Sequence, residues 1–240
     1  MPKAQSQNYA QKIKILCMAA LFCALAIAST YVMHIKVMFL TFDAKDAVIT
    51  IAGLLFGPLY SVAISLVVSF VEFISIGDAG FWGFLMDFLS TAIFSGVCAL
   101  IYKYKKNLWG AIIGLIASVF AMTAFMLLFN LFVVPIYTPN YTTATVAQMV
   151  PTLFLPFNLT KAMLNAAIVL ILYKPVSTAL KAAKVLPRNN LNAENSEDAE
   201  KTKKKRLVFS IVVTATALVI AAVCVAVFFV FLHGNIEFFR

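Results

Sequence analysis

From Leu108 to Pro135, and again from Leu207 to Leu232, the chain carries no charged side chain. Apolar runs of that length match the hydrocarbon core of a bilayer, which an α-helix crosses in about 20 residues. No water is available there to satisfy backbone N–H and C=O groups, so such runs fold as helices. Composition extends the same constraint to the whole chain, with 62% hydrophobic residues, 12% charged residues and a mean hydropathy of +0.94. These values exclude an ordinary soluble domain. The chain reads as an all-α polytopic membrane protein.

Apolar stretches predict helices near 12–33, 44–57, 58–76, 81–102, 108–135 and 151–173, followed by a seventh over 207–232. Pro58 suits the first turn of the third helix, since its missing N–H has no helical partner to lose. The expected organisation is a six-helix substrate-binding membrane domain over 1–175, a charged cytoplasmic linker over 176–206, an additional helix over 207–232 and a short tail over 233–240.

The net charge of +9 does not point to nucleic acid, because most of the nineteen Lys and Arg residues fall in three clusters. Lys3, Lys12 and Lys14 precede the first helix, Lys103 to Lys106 follow the fourth, and Lys174 to Arg206 follow the sixth. All three fall on one side if every segment spans, as cytoplasmic loops do. The expected location is therefore the cell membrane, with a cytoplasmic N-terminus, outer loops over 34–43, 76–80 and 136–150, and an extracellular C-terminus. The uncharged 136–150 loop is long enough to fold over a pocket.

The four cysteines, Cys17, Cys23, Cys98 and Cys224, lie in apolar runs without CxxC spacing and read as packing residues. Ala26-Ile27-Ala28 before Ser29 has the form of a signal-peptidase site, but cleavage would break the charge-balanced topology. Ala20, Ala24 and Ala28 recur every four residues and form a smooth stripe, suited either to a partner helix or to close packing within the chain.

Lys161 interrupts the sixth apolar segment, and a lysine at such a depth costs at least about 2.5 kcal/mol to insert. Asn158, Lys161 and Asn165 share one helix face. Entering near Pro151, the helix would carry Lys161 about 15 Å down, facing an outward-open cavity. Its alternative is an internal ion pair with Asp87 or Glu72. Asn130, ahead of Pro135, is placed either to contact a ligand or to bond another helix. Two carboxamides and an ammonium around an apolar pocket suit a planar, heteroaromatic, mostly neutral molecule with amide-like edges.

Four stretches carry a resemblance. They are Phe39-Leu40-Thr41-Phe42-Asp43 with Asp46; Leu55-Phe56-Gly57-Pro58-Leu59; Met122-Thr123 with Asn130 and Pro135-Ile136-Tyr137; and Leu155-Pro156-Phe157-Asn158 with Lys161. Over about 12–175 the chain resembles the S-components of energy-coupling factor (ECF) vitamin transporters, specifically the riboflavin-binding family. The resemblance implies a six-helix S-component bundle, plus one extra C-terminal transmembrane helix here. It implies riboflavin as a transported ligand rather than a cofactor. The implied partners are a transmembrane coupling protein and two cytoplasmic ATPases. Leu40, Thr41, Phe42, Asn130, Asn158 and Lys161 are the ligand-binding positions it implies, with Phe39, Phe42 and Tyr137 covering the ring. Ala20, Ala24 and Ala28 match its docking stripe.

The sequence has no phosphate-binding loop of the GxxxxGK type and no HExxH pair, so the expectation is a transporter subunit and not an enzyme. Departures from the family pattern are Ala47-Val48 after Asp46 in place of a proline, Ser65, Val68 and Ser69 in place of polar Glu, Lys and Asn, and Asp87 in place of an Asn. They leave another vitamin or flavin relative as an alternative ligand. A self-sufficient ion-coupled carrier using Asp87, Glu72 or Lys161 is the alternative class.

Overall fold

In the computed structural model, the structure describes residues 2–33, 35–37, 40–76, 80–138, 140–182, 211–226 and 236–238. Helix α1 covers Pro2–Val32, α2 Lys45–Phe56, α3 Pro58–Ser75, α4 Gly80–Tyr104 and α5 Leu108–Tyr137. A short α6, Thr143–Met149, passes through a π-helical turn at Val150–Phe154 into α7, Leu155–Ala182. A further apolar helix, α8, covers Ile211–Ala226. Among the described residues five helical stretches are long and apolar enough to span, and α2 and α8 are shorter.

The organising element is α2. At 12 residues it is too short to cross a bilayer, yet nearly every side chain from Lys45 to Leu54 is buried. It packs against α1, α3, α4 and α7 and so occupies the centre of the bundle. Its sequence is consequently apolar all round rather than striped. Gly57, at φ 108°, turns the chain into α3, and Pro58 opens that helix as expected. Gly53 lies where α2 meets its neighbours: a Cβ there would approach Ser61 Cβ to 2.8 Å and Ala99 Cβ to 3.0 Å.

Two expected loops contain regular structure. Residues 34–43 include an antiparallel hairpin of β1, Ile35–Val37, and β2, Leu40–Phe42. Ile236–Phe238, in the expected tail, forms β3 on the other side of β1, for a sheet order β2-β1-β3. The 136–150 segment is partly helical, because the Thr142 side chain accepts from the Thr145 backbone N–H at 3.3 Å and starts α6. The sixth helix also runs beyond its expected end at 173 to Ala182, with Pro175 inside it. Phe39, most of the 176–206 linker, and 207–210 and 227–232 of the expected seventh helix lie outside the described residues.

All four cysteines are free; Cys98 and Cys224 are buried, whereas Cys17 is exposed and so does not pack in the core. Along α1, the bundle receives Ala19, Phe22 and Ala26, while Ala20, Ala24 and Ala28 all face outward. The alanine stripe is therefore not used for packing within this chain.

Candidate functional site

The turn before α2, the start of α2, and helices α3, α4 and α7 bring six ionisable side chains together: Asp43, Lys45, Asp46, Glu72, Asp87 and Lys161. Five of them are buried, and Asp87 is one-quarter exposed at its side chain. Lys161 Nζ donates to Asp43 Oδ2 at 3.0 Å and to the Thr41 carbonyl at 3.2 Å, with Asp46 Oδ2 3.9 Å away. Lys45 Nζ donates to Glu72 Oε2 and, at 2.7 Å, to Asp87 Oδ2. Hydroxyls complete the cluster: Thr30 donates to Glu72, Ser69 to Asp87 and Thr91 to Asp46, each at 2.6 Å. Carboxylates outnumber ammonium groups four to two.

Lys161 is expected from the sequence to face an outward-open cavity, with an ion pair to Asp87 or Glu72 as the alternative; here it is buried and paired with Asp43, and those two carboxylates are taken by Lys45. Lys45 is the site residue that sequence reasoning missed. The signal was the charged run Asp43-Ala44-Lys45-Asp46 at the head of an apolar helix, which alone reads as a solvated loop end. What buries it is the position of α2 inside the bundle. A charge taken from water needs a partner of good geometry, and Glu72 of α3 and Asp87 of α4 supply one.

Asn165 also has a structural role. Its Nδ2 donates to the Asp43 and Lys161 carbonyls, both at 3.1 Å, and its Oδ1 accepts from the Ala47 N–H at 3.0 Å. It ties α7 to the turn between β2 and α2. Of the three residues expected on one face of α7, Lys161 and Asn165 thus meet that turn, and Asn158 is buried with its Nδ2 donating to the Phe154 carbonyl at 2.8 Å. That carbonyl belongs to the π-helical turn, a distortion common at functional sites.

Leu40 and Phe42 are buried in the same apolar core as Val146, Phe154 and Phe157, and Thr41 between them is half-buried. Asn130 is buried on α5 and donates to the Met126 carbonyl of its own helix at 2.6 Å. Its Oδ1, the Thr123 hydroxyl one face-repeat earlier, and Asp46 Oδ2 are buried without a hydrogen-bond partner. Such atoms are few in folded proteins, because each costs about 1–3 kcal/mol. Tyr137 ends α5, and its side chain is outside the described residues.

A cleft of about 570 Å³ lies elsewhere, lined by the α2–α3 turn, Tyr102, Lys103, Lys106, Tyr173 and Ser177. Tyr173 is three turns of α7 beyond Lys161, roughly 18 Å at 1.5 Å per residue. The cleft therefore belongs to the end of the bundle that carries the basic α4–α5 loop, not to the charged cluster.

The comparisons with known proteins agree with this architecture. The riboflavin transporter RibU of Staphylococcus aureus (strain TCH60) is 28% identical over 149 residues, covering 60% of this chain and 78% of that protein. A solved structure, described as the structure and mechanism of the S component of a bacterial ECF transporter, superposes with a TM-score of 0.60 at 25% identity. It covers 71% of this chain and 99% of its own. Residues 14–173 match the model of the family described as ECF transporter, substrate-specific component, and the match spans the hairpin, α2 and the Lys161 face of α7. The chain belongs to the substrate-specific components of ECF transporters.

Proposed function

We propose that this chain captures riboflavin from outside the cell and delivers it through an ATP-driven ECF module. The observation that carries the reading is the meeting of Thr41 and Lys161, two residues far apart in sequence that belong to separate stretches of the riboflavin-family resemblance. Leu40, Thr41 and Phe42 would border the ligand from the hairpin, and Asn130, Asn158 and Lys161 would read its polar edge. The unpartnered Asn130 Oδ1 supports this, since a ring N–H of the ligand is the kind of donor it lacks. The named relative, a riboflavin transporter, supports the same ligand.

The remaining parts of the proposal follow the topology. The hairpin end faces outside, the N-terminus and basic loops face the cytoplasm, and Ala20, Ala24 and Ala28 meet the transmembrane coupling protein whose two ATPases drive release. A second reading, another vitamin with a cationic group, draws on the excess of carboxylates around Lys45 and Lys161. The test is titration of the detergent-purified protein with riboflavin while following flavin fluorescence. Stoichiometric quenching that Lys161→Ala weakens supports the flavin reading. Absence of quenching, with competition assays then positive for a cationic vitamin, replaces it with the second.

A further inference from the structure

The hairpin that supplies Thr41 is not a hairpin alone. Its inner strand β1 is flanked on the other side by β3, which belongs to the last residues of the chain. The registers line up across all three strands: Phe42–Ile35–Phe238, Thr41–Lys36–Glu237 and Leu40–Val37–Ile236. Three residues proposed to border the ligand therefore each share a row with one residue of β3. In the middle row, the backbone of Lys36 lies between those of Thr41 and Glu237.

An isolated two-stranded hairpin is marginal in water and is stabilised by a third strand or by packing against helices; this one has both, since Leu40 and Phe42 lie in the bundle core. Its strands of three residues are short. The loop next to Lys161 thus takes part of its order from a segment outside the 14–173 family match. Upstream of β3, Ala217 of α8 is buried and Cys224 belongs to the core.

We infer that the C-terminal strand Ile236–Phe238 is a positioning element of the substrate site, pairing with β1 so that the Leu40–Phe42 strand stays over Lys161 and bound ligand leaves slowly. The inference rests on the functional reading above for its ligand, but not for the strand's hold on the loop. Pairing acts through backbone groups, so it depends on the N–H groups of β3 and not on a particular side chain. A shift of about 1.4 kcal/mol, the net value of one or two backbone hydrogen bonds, is a tenfold change in rate.

The experiment compares the full-length protein with Glu237→Pro, with Glu237→Gln and with a chain ending at Asn235. Hydrogen–deuterium exchange of the 40–42 amides and the riboflavin dissociation rate are both measured. Glu237→Pro and the truncation should raise exchange in β2 and speed dissociation roughly tenfold, while Glu237→Gln stays within twofold of the parent on both readouts. A cysteine pair, Lys36→Cys with Glu237→Cys in a background lacking the four native cysteines, should do the reverse: oxidised after loading, it slows dissociation. Unchanged exchange in the proline variant overturns the inference, as does faster exchange with an unchanged dissociation rate. If the parent does not bind riboflavin, the functional reading fails, and exchange still decides whether β3 orders the loop.

Discussion

Lys45 offers the sharpest test of how the bundle is held together. It is 1% exposed and its only charged partners within ion-pair distance among the described residues are Glu72 and Asp87, on two different helices. Lys45→Met keeps side-chain length while removing the charge, and leaves two carboxylates facing each other with Thr30 and Ser69 as donors. Breaking a buried pair by removing one partner costs about 3–5 kcal/mol. At about 2–4 °C per kcal/mol for a chain of this size, Tm should fall by roughly 6–20 °C. Intrinsic fluorescence from Trp82 and Trp109, followed during heating in detergent, provides the assay. The triple variant Lys45→Met, Glu72→Gln, Asp87→Asn should recover at least half of that loss, because no unpaired charge remains buried. A single-variant shift within 2 °C of the parent, or a triple variant less stable than the single, would refute the reasoning. Either result would mean that the charges are solvated or that their hydrogen bonds dominate the cost.

Other perturbations separate binding from packing and docking. Lys161→Ala should weaken riboflavin binding by about tenfold to a hundredfold in fluorescence titration, the loss expected for a hydrogen bond to a charged group; unchanged affinity removes Lys161 from the site. Ala24→Trp places a bulky ring on the outward alanine stripe, so binding in detergent should persist while cellular uptake is lost, and normal uptake would dismiss the stripe as the docking surface. Gly53→Val should lower thermal stability by about 1–3 kcal/mol through overpacking against Ser61 and Ala99. Ser61→Ala should leave that loss largely in place, since the closest Ser61 atom is its Cβ.

The legible parts of the fold were those that depend on local composition. Gly57-Pro58 marked the α2–α3 boundary because a positive φ and a proline first turn are properties of those residues alone. That Ala20, Ala24 and Ala28 share one face followed from a four-residue spacing, but whether that face turns outward did not. The hairpin was hidden because 34–43 is short and its pairing partner β3 is nearly the whole chain away. α6 was hidden in a segment whose threonines, tyrosines and Pro139 resemble a loop until one threonine hydroxyl caps a turn.

The candidate site divides in the same way. A lysine inside an apolar run is anomalous on solvation grounds, so Lys161 stood out before any contact was known. Its partner could not be chosen by that argument, since Asp43, Glu72 and Asp87 are equally carboxylates. Lys45 raised no alarm, because the cost of a charge depends on what surrounds it and the apolar helix after it begins only one residue beyond Asp46.

Long uncharged apolar runs already place this chain in a membrane as a helical bundle, because hydrocarbon leaves a run of that length and pattern only the helix to satisfy its backbone polar groups. The sequence also determined which end carries the basic loops and that one buried lysine needs an explanation. It took the packed bundle to show that α2 is its centre, that Lys161 and Lys45 divide four carboxylates between them, and that strand β3 borders the hairpin before α2. Those facts depend on which distant segments lie within a few ångströms of one another, and Coulomb attraction and backbone pairing act over that range without leaving a mark on local composition.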